Sequence, residues 1–514
     1  MPYLLGLDIG TTGTRALLVD EAGHVVASAV SEYPLYTPQP QWAEQDPADW
    51  WQATCEATRA ALARAGVSGE EVGGVGLSGQ MHGVVLLDEQ DEVLRPSIIW
   101  CDQRSQAQCD WITDRVGAER LIELTCNPAL TGFSAPKLLW IRDNEPQTYE
   151  QGRKFLLPKD YIRFRLTGEY ASEVSDASGT TLFDVRKRRW SDEVLSALGV
   201  DRDLLPEVYE SPVVSGRVNA AAAEATGLAP GTPVVGGGGD QAAGAVGNGV
   251  VETGVLSSTI GSSGVLFAFT DEPVLDPKGR MQSFCHAVPG KWHVMGVTQG
   301  AGLSLRWFRD NFGGAEMLVS NLTGVDPYVL LDREAEQAPV GSEGLLFLPY
   351  LMGERAPHLD PDAKGVFFGL TARHTRLHVV RSIFEGVAYS LRDSLEIIRG
   401  EMGIPVEQVR ASGGGGRSAL WRQIQADAFN TEMVTINVAE GPAYGVALLA
   451  GVGTGVWDSV EEACRATIKV VQHVPPIAEN VAIYERFYRI YRALYPALKP
   501  QYDAVTSAVA DMTV

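Results

Sequence analysis

The sequence predicts an α/β protein built from two halves. Segments with the alternating apolar pattern of strands are interleaved with segments in which apolar residues recur at helical spacing. A strand–turn–strand pattern surrounds Gly10-Thr-Thr-Gly13, and a similar pattern returns about half the chain later around Gly261-Ser-Ser-Gly264. The 514 residues, of which 45% are hydrophobic, are sufficient for more than one core.

The first half contains five predicted strands before its middle and two further elements near its end. The early strands are predicted at Tyr3–Asp8, Thr14–Asp20, Val25–Ser31, Val72–Leu77 and Val84–Asp88. Helical patterns cover Asp49–Ala65, Asp102–Thr125 and Lys137–Asn144. The first of these helices is expected to end at Gly66. A strand at Thr232–Gly239 is predicted to lead into a helix over Asp240–Gly247.

The second half repeats the alternation of strands and helices. Its predicted strands are Leu256–Ile260, Val265–Phe269 and Val409–Ala411, and its predicted helices are His378–Gly400, Ser418–Asn430, Ala443–Val452 and Ile483–Leu494. We therefore predict two domains, residues 1–248 and residues 249–514.

Composition excludes several classes of protein. The 42 basic and 64 acidic residues give a net charge of −22, and no basic run is present, which argues against nucleic-acid binding. No window approaches the roughly 18–20 apolar residues needed to cross a bilayer, and the amino terminus lacks the basic region of a secretory signal. The six cysteines form no C-x-x-C pair and are expected to be reduced thiols of a cytoplasmic protein.

Common catalytic and nucleotide-binding motifs are absent. The sequence has no G-x-x-x-x-G-K-S/T, no H-E-x-x-H and no G-x-S-x-G, which excludes a P-loop, a zincin site and a nucleophile elbow. One G-x-G-x-x-G match occurs at Gly74–Gly79. Since a strand rather than a helix is expected after it, we do not interpret it as a Rossmann fingerprint.

The two glycine turns have the composition of phosphate-binding loops. A hairpin turn of Gly with Thr or Ser presents backbone N–H groups and hydroxyls without bulky side chains, and such groups bind phosphate oxygens. The alternative is that each turn is only a tight hairpin. The occurrence of a matched pair favours phosphate binding.

Two carboxylates stand next to glycine-rich segments. Asp240 follows Gly236-Gly-Gly-Gly239 at a predicted helix start, where it could accept a proton from a hydroxyl nucleophile. The alternative role is a helix N-cap worth about 1 kcal/mol. Asp8 is the only charge in the first strand, and it is either a Mg²⁺ anchor beside bound phosphates or a structural partner of the turn.

Several separate stretches resemble one known family. Leu7–Gly13 resembles its first phosphate loop, and Gly132–Trp140, continuing to Asn144, fits one family signature. Gly365–Leu370, with His378–Glu385 behind it, fits a second signature. Together with the loop Gln80-Met-His-Gly83, these stretches identify the chain as a member of the FGGY carbohydrate kinases. The resemblance covers residues 3 to about 451.

The resemblance implies two actin/hexokinase-like (ribonuclease H-like) domains that flank a deep cleft. Residues 1–248 would carry the sugar site, the first phosphate loop and the catalytic aspartate. Residues 249–514 would carry the second phosphate loop, an adenine-binding glycine run and a closing helix.

The resemblance also implies site residues. Asp240 would be the catalytic base; Met81, His82, Asp240 and Gln241 would bind the sugar; Asp8 would serve the metal; and Thr11, Thr12, Gly13, Gly261, Ser262, Gly302, Gly414 and Ser418 would bind ATP. From residue type alone, a single histidine such as His82 is more often a core or surface group than a ligand. Gln241 stands where some members have Asn, which affects only sugar contacts.

The implied activity is ATP- and Mg²⁺-dependent phosphorylation of D-xylulose to D-xylulose 5-phosphate, a step of xylose catabolism feeding the pentose phosphate pathway. A family member acting on another ketose or polyol is the nearest alternative. A sugar sensor without turnover and a chaperone-type ATPase are more distant ones. The expected partner is a small sugar, with neither nucleic acid nor membrane involved, and a homodimer is one expectation for the oligomeric state.

Overall fold

The computed structural model describes residues 2–512, and the chain divides into two compact units. The first unit contains the chain up to Glu252 together with Phe269–His293 and Glu440–Lys469. The second contains Thr253–Ala268, Val294–Ala439 and the chain from Val470 onward. Two segments of the predicted second half thus belong to the first unit, so a single cut at residue 248 does not describe the packing.

The elements are numbered along the chain. The strands are β1 Tyr3–Ile9, β2 Gly13–Val19, β3 Val25–Glu32, β4 Glu44–Gln45, β5 Val72–Gly79, β6 Val85–Leu87, β7 Ser97–Ile98, β8 Lys154–Leu156, β9 Ala171–Glu173, β10 Phe183–Asp184, β11 Arg189–Trp190, β12 Glu207–Tyr209, β13 Val214–Arg217, β14 Pro233–Val235, β15 Gly238–Gly239, β16 Gly254–Ile260, β17 Gly264–Thr270, β18 Gln282–Cys285, β19 Trp292–Thr298, β20 Leu346–Leu348, β21 Val366–Phe368, β22 Val406–Ser412, β23 Glu432–Ile436 and β24 Val470–Val474.

The helices are α1 Pro47–Ala65, α2 Gln106–Val116, α3 Ala118–Thr125, α4 Ser134–Asn144, α5 Pro146–Gln151, α6 Pro158–Thr167, α7 Val174–Ala177, α8 Asp192–Leu198, α9 Ala220–Thr226, α10 Asp240–Gly247, α11 Gly302–Phe312, α12 Gly314–Thr323, α13 Pro327–Glu336, α14 Arg376–Glu396, α15 Ala419–Phe429, α16 Gly441–Gly453, α17 Val460–Thr467 and α18 Ala478–Met512.

The main sheet of the first unit has the strand order β13-β14-β5-β1-β2-β3, with β15 also paired to β5. The meander β1-β2-β3 is antiparallel, whereas β5 runs parallel to β1 and to β14. In the β1–β5 register, Asp8 lies opposite Ser78. The carboxyl ends of β1, β5 and β15 therefore meet at one edge of the sheet, where the turns that follow them can form a site.

Local sequence explains the bounds of α1. Asp46 accepts a hydrogen bond from the Ala48 N–H at 2.9 Å, and Pro47 occupies the first turn. At the other end, Gly66 has φ +66° in the left-handed region and ends the helix as predicted.

Helix α16 explains why a late segment belongs to the first unit. A Cβ added at Gly6 of β1 would lie 1.9 Å from the Ala443 carbonyl oxygen, and one at Gly76 of β5 would lie 1.9 Å from that of Val446. Glycines in two adjacent strands thus let α16 lie directly on the sheet. This close packing places 440–469 with the amino-terminal half.

The main sheet of the second unit contains the order β19-β17-β16-β22-β23-β24. Its core repeats the arrangement of the first, because β16 is antiparallel to β17 and parallel to β22. In this sheet Thr259 lies opposite Ser412, as Asp8 lies opposite Ser78 in the other. The prediction of an α/β protein with two related halves is confirmed.

Three predicted elements differ in detail. The helical pattern over 102–125 is divided at Gly117, which has φ +90° and separates α2 from α3. The strand predicted over 232–239 is interrupted because Gly237 has φ +71°. The closing helix was expected to end at Leu494, yet α18 continues through Pro496 and Pro500 to Met512.

Within residues 2–512, no helix combines the length and apolar character required to cross a membrane. All six cysteines, which lie in this range, are free thiols, and four of them are buried.

Candidate functional site

The turn after β1 is held in one conformation by the surrounding protein. The Gly10 N–H donates to the Gly13 carbonyl at 3.1 Å and closes the hairpin. Gln45 Nε2 donates to the Thr11 carbonyl at 2.7 Å, and Trp100 Nε1 donates to the Thr11 hydroxyl at 3.0 Å. The predicted phosphate-binding residues Thr11, Thr12 and Gly13 are therefore presented by a fixed backbone rather than by a loose loop.

Two carboxylates of the first unit interact near this turn. Burial raises the pKa of Asp8 to about 6, with the nearby Ser78 hydroxyl and the Arg15 guanidinium opposing the rise. Burial and, to a smaller extent, the charge of Asp8 raise the pKa of Asp240 to about 7, while hydrogen bonds from Gln241 act in the opposite direction. The structure thus brings the predicted base and the predicted metal ligand together. One carboxylate of this pair is suited to accept a proton and the other to bind a cation.

The predicted sugar-binding loop lies beside this pair. A Cβ added at Gly239, the residue before Asp240, would lie 2.9 Å from the Met81 sulfur, so Met81 packs directly against the backbone that leads to Asp240. His82 has φ +72°, and its Nδ1 lies 2.8 Å from the Gly179 carbonyl, to which it donates. Met81, His82, Asp240 and Gln241 are all placed in this one region of the first unit.

The ring and backbone of His82 are both fixed. The imidazole stacks on Phe133 with ring centroids 4.6 Å apart. Its carbonyl accepts hydrogen bonds from the Ser134 hydroxyl at 3.2 Å and from Lys137 Nζ at 3.1 Å. Lys137 is fully buried, and this burial lowers its pKa to about 7. Phe133 and the first turns of α4 therefore orient the predicted sugar-binding loop.

The second unit contains a cavity of about 420 Å³. All five residues predicted to bind nucleotide in the second half line it: Gly261, Ser262, Gly302, Gly414 and Ser418. Apolar walls come from Leu305, Val329 and Trp421. A cavity of this size, with apolar walls beside glycine turns, is suited to a base on one side and phosphates on the other.

The glycine turn of the second unit is joined to the start of α11. The Gly302 N–H donates to the Gly261 carbonyl at 2.9 Å, and the Leu303 N–H donates to the Ser262 carbonyl at 3.0 Å. Ser418 caps α15 by accepting from the Trp421 N–H at 3.0 Å. The turn and two helix starts thus converge on the cavity, where backbone N–H groups and helix dipoles favour an anion.

Charged residues of the cavity were missed by sequence reasoning. Arg306, Arg417, Asp326 and Asp332 line it. Burial raises the pKa of Asp332 to about 6, with Ser418 opposing the rise. Arg306 and Asp332 lie within α11 and α13, and Asp326 is the N-cap of α13, so no local sequence signal separates them from surface charges. Arg417 directly follows the glycine run, which was a signal that could have found it.

A metal site made only of protein groups is not present in the described part of the chain. Residues 2–512 contain no group of three or more His, Cys, Asp or Glu side chains arranged to hold an ion. Asp8 Oδ1 is buried and makes no hydrogen bond of ordinary geometry within the described residues. A buried carboxylate oxygen of this kind is suited to coordinate a cation whose other ligands are water or ligand oxygens.

Comparison with known proteins gives one consistent result. Residues 3–247 match the N-terminal domain of the FGGY family of carbohydrate kinases, and residues 256–454 match its C-terminal domain. The chain is 41% identical to the xylulose kinase of Escherichia coli K12 over 96% of this chain and 99% of that protein. It is 33% identical to the gluconokinase of Bacillus subtilis 168 over 98% and 97% of the two chains. The solved xylulose kinase of Rhodospirillum rubrum superposes with a TM-score of 0.89 at 31% identity, covering 98% of this chain and all of the other.

Proposed function

Because the chain belongs to the FGGY family of carbohydrate kinases, we propose that it transfers the γ-phosphoryl group of ATP to the 5-hydroxyl of D-xylulose. The products are D-xylulose 5-phosphate and ADP. The choice of sugar depends on one observation, the 41% identity with a xylulose kinase over nearly the full length of both chains. The Gln80-Met-His-Gly83 loop beside Asp240 supports the same choice.

Asp240 acts as the base in this proposal. Phosphoryl transfer requires mainly positioning and charge stabilisation, and the alcohol loses its proton only as its oxygen bonds to phosphorus. The proton passes to the Asp240 carboxylate while the bond to the departing ADP oxygen breaks. With its pKa raised to about 7, Asp240 is partly ionised at neutral pH and is a stronger base than an exposed aspartate.

The sugar contacts belong to the loop beside the base. Met81 and His82 hold the ketose, and Gln241 contacts it from the first turn of α10. His82 donates through Nδ1 to Gly179 and is stacked on Phe133, so its ring is oriented before the sugar binds. Such preorganisation lowers the entropy cost of binding.

The glycine turns are assigned to phosphate oxygens of ATP, and the cavity of the second unit is assigned to the rest of the nucleotide. Gly261, Ser262 and Gly302 contact phosphates, Gly414 and Ser418 contact the nucleoside, and Thr11, Thr12 and Gly13 supply phosphate donors from the first unit. Asp8 fits Mg²⁺ because its buried Oδ1 makes no hydrogen bond of ordinary geometry within residues 2–512. When bound, Mg²⁺ neutralises negative charge on the phosphates.

We also propose a compartment, an oligomeric state and a pathway for the enzyme. It is a cytoplasmic homodimer whose product enters the pentose phosphate pathway from xylose catabolism. The six free thiols agree with a reducing compartment, and sedimentation equilibrium tests the dimer.

A substrate panel tests the proposal. ADP release, coupled to NADH oxidation, is measured with ATP and Mg²⁺ against D-xylulose, L-xylulose, D-ribulose, L-ribulose, gluconate, glycerol and no sugar. D-xylulose is expected to give a kcat/KM far above the others. A preference for gluconate would favour the second candidate, since one full-length relative is a gluconokinase. ADP release that ignores sugar would contradict both.

The base assignment is tested by Asp240→Asn, which keeps the shape of the side chain. The kcat is expected to fall about 10²- to 10⁴-fold because the proton acceptor is lost. The Kd for ATP, measured by calorimetry, is expected to remain within a few-fold of the wild-type value. A nearly normal kcat would contradict the assignment.

A further inference from the structure

The backbone before Asp240 has no side chains of its own to hold it in place. Gly236–Gly239 precede Asp240 directly, and Gly238 and Gly239 pair with Ser78 and Gly79 at the end of β5. Asp240 is the first residue of α10, and its N-cap Gly239 has no side chain to fix the helix start. The position of Asp240 therefore depends on groups that bind this glycine backbone.

Two buried side chains bind the final glycine of the run. The Gly239 N–H donates to Glu173 Oε1 at 3.2 Å and to the Ser175 hydroxyl oxygen at 3.0 Å. At the other end of the run, the Arg163 guanidinium donates to the Gly236 carbonyl. Buried side chains thus fix both ends of the glycine run.

Glu173 is itself held by several donors. Its Oε1 accepts from the Ser175 hydroxyl and from the Asp176 N–H, each at 2.7 Å, and its Oε2 accepts from the Ser175 N–H at 2.7 Å. Ser175 therefore donates to Glu173 while it accepts from Gly239. A carboxylate with this many fixed donors has one orientation, which makes it a firm anchor.

Glu173 belongs to a buried ionic cluster, formed by Lys159, Asp160, Arg163, Glu173 and Asp176, whose members have 0% exposure. Lys159 Nζ lies 2.6 Å from Asp160 Oδ1 and 3.3 Å from Asp176 Oδ2. Burial raises the pKa of Asp176 well above its ordinary value, although Lys159 opposes the rise. Three carboxyl groups, those of Asp160, Glu173 and Asp176, thus face the two basic side chains in this buried cluster.

We propose that Glu173 and Ser175 are positioning residues for Asp240. By fixing the Gly239 N–H they hold the start of α10, and with it the Asp240 carboxylate, in one position. This role rests on the proposed function of Asp240 as the base. It differs from a purely structural role because it affects the rate of the chemical step more than it affects the binding of either substrate.

Two matched substitutions test the proposal. Ser175→Ala removes one acceptor of the Gly239 N–H, whereas Ser211→Ala removes a hydroxyl that donates to Glu173 Oε2 at 3.1 Å and has no side-chain bond to Gly239. Both serines are completely buried and each hydroxyl donates to Glu173, so both variants lose one hydrogen bond to that carboxylate. Only Ser175→Ala also loses an acceptor of the Gly239 N–H. The kcat of Ser175→Ala is expected to fall about three- to tenfold, with both KM values within about twofold. Ser211→Ala is expected to keep its kcat within about twofold.

A second variant and a second measurement complete the test. Glu173→Gln is expected to lower kcat at least as much as Ser175→Ala. Crystal structures of the serine variants are expected to show a displaced Asp240 only in Ser175→Ala. Equal kcat values for the two serine variants, or an unmoved Asp240 in both, would overturn the proposal.

The assays use whichever sugar the wild-type enzyme prefers, so an incorrect substrate assignment does not affect the comparison. If the wild type phosphorylates no sugar, the proposed function fails, while the crystal structures still decide whether Ser175 positions Asp240.

Discussion

The contact between Gly302 and the second glycine turn gives a substitution whose effect can be worked from distances. A Cβ added at Gly302 would lie 2.3 Å from the Gly261 carbonyl oxygen, far inside van der Waals contact. The turn and the start of α11 must therefore separate by about 1 Å, which breaks or weakens the two hydrogen bonds that join them. At about 0.5–1.5 kcal/mol each, these bonds contribute about 1–3 kcal/mol. Since we propose that ATP binds the joined arrangement of turn and helix, its binding would have to supply this free energy to restore that arrangement. The expected loss of ATP affinity in Gly302→Ala is thus about 5- to 150-fold.

The matched control is Gly314→Ala. Gly314 is the first residue of α12 as Gly302 is of α11, but an added Cβ there meets no atom within 4 Å. The Kd for ATP is measured by calorimetry, the two KM values by coupled ADP release, and folding by thermal melting. Gly302→Ala is expected to raise the ATP Kd and KM and to leave the sugar KM within about twofold. If Gly302→Ala binds ATP as tightly as Gly314→Ala does, the link between this contact and nucleotide binding is refuted.

Three further predictions follow from packing and burial. His82→Ala is expected to raise the sugar KM about tenfold or more and the ATP KM by less than twofold, and equal effects in steady-state assays would indicate a structural role. Gly6→Ala, whose Cβ would overlap the Ala443 carbonyl, is expected to lower the Tm by several degrees, and an unchanged melting curve would contradict the close packing of α16. Burial raises the pKa of Glu354 from 4.5 to about 7 against hydrogen bonds that lower it, so the folded state binds this proton more tightly than the unfolded state. This tighter binding contributes about 3 kcal/mol to the free energy of unfolding below pH 4.5, and the contribution is lost as the pH rises to about 7. Glu354→Gln is therefore expected to show a smaller decrease in Tm from pH 5 to 8 than the wild type.

The sequence predicted the two hairpins and most of the elements around them, because each of these depends on local signals. Gly and Thr or Ser between apolar strands predict both turns, and α1 begins and ends at its own caps. Where long-range packing decides, local signals were insufficient. The pattern over 483–494 predicted an end before Pro496, yet α18 continues past it. The assignment of α16 to the first unit depends on glycines more than 350 residues away in sequence.

The candidate site divides in the same way. Asp8, Asp240 and the glycine turns stand out because a lone charge in a strand and a run of glycines are unusual locally. Glu173 and Ser175 do not stand out, because their importance arises only when their segment meets the glycine run. Asp332 lies on an ordinary helical pattern and likewise has no local signal. The residues that we predict to touch ligands thus carry local sequence signals, whereas the residues that hold them in place carry none.

The two related sheets have different polar side chains at the same position of the fold. In the first, Asp8 lies opposite Ser78, and its Oδ1 has no hydrogen bond of ordinary geometry within residues 2–512. In the second, Thr259 lies opposite Ser412, and the two hydroxyls bond to each other at 2.6 Å. The first sheet thus leaves a buried carboxylate oxygen without a donor of ordinary geometry among the described residues at this position. In the second sheet the two hydroxyls satisfy each other and add no negative charge beside the glycine turn. One carboxylate in place of a hydroxyl is therefore the difference that makes only one of these two equivalent positions acidic.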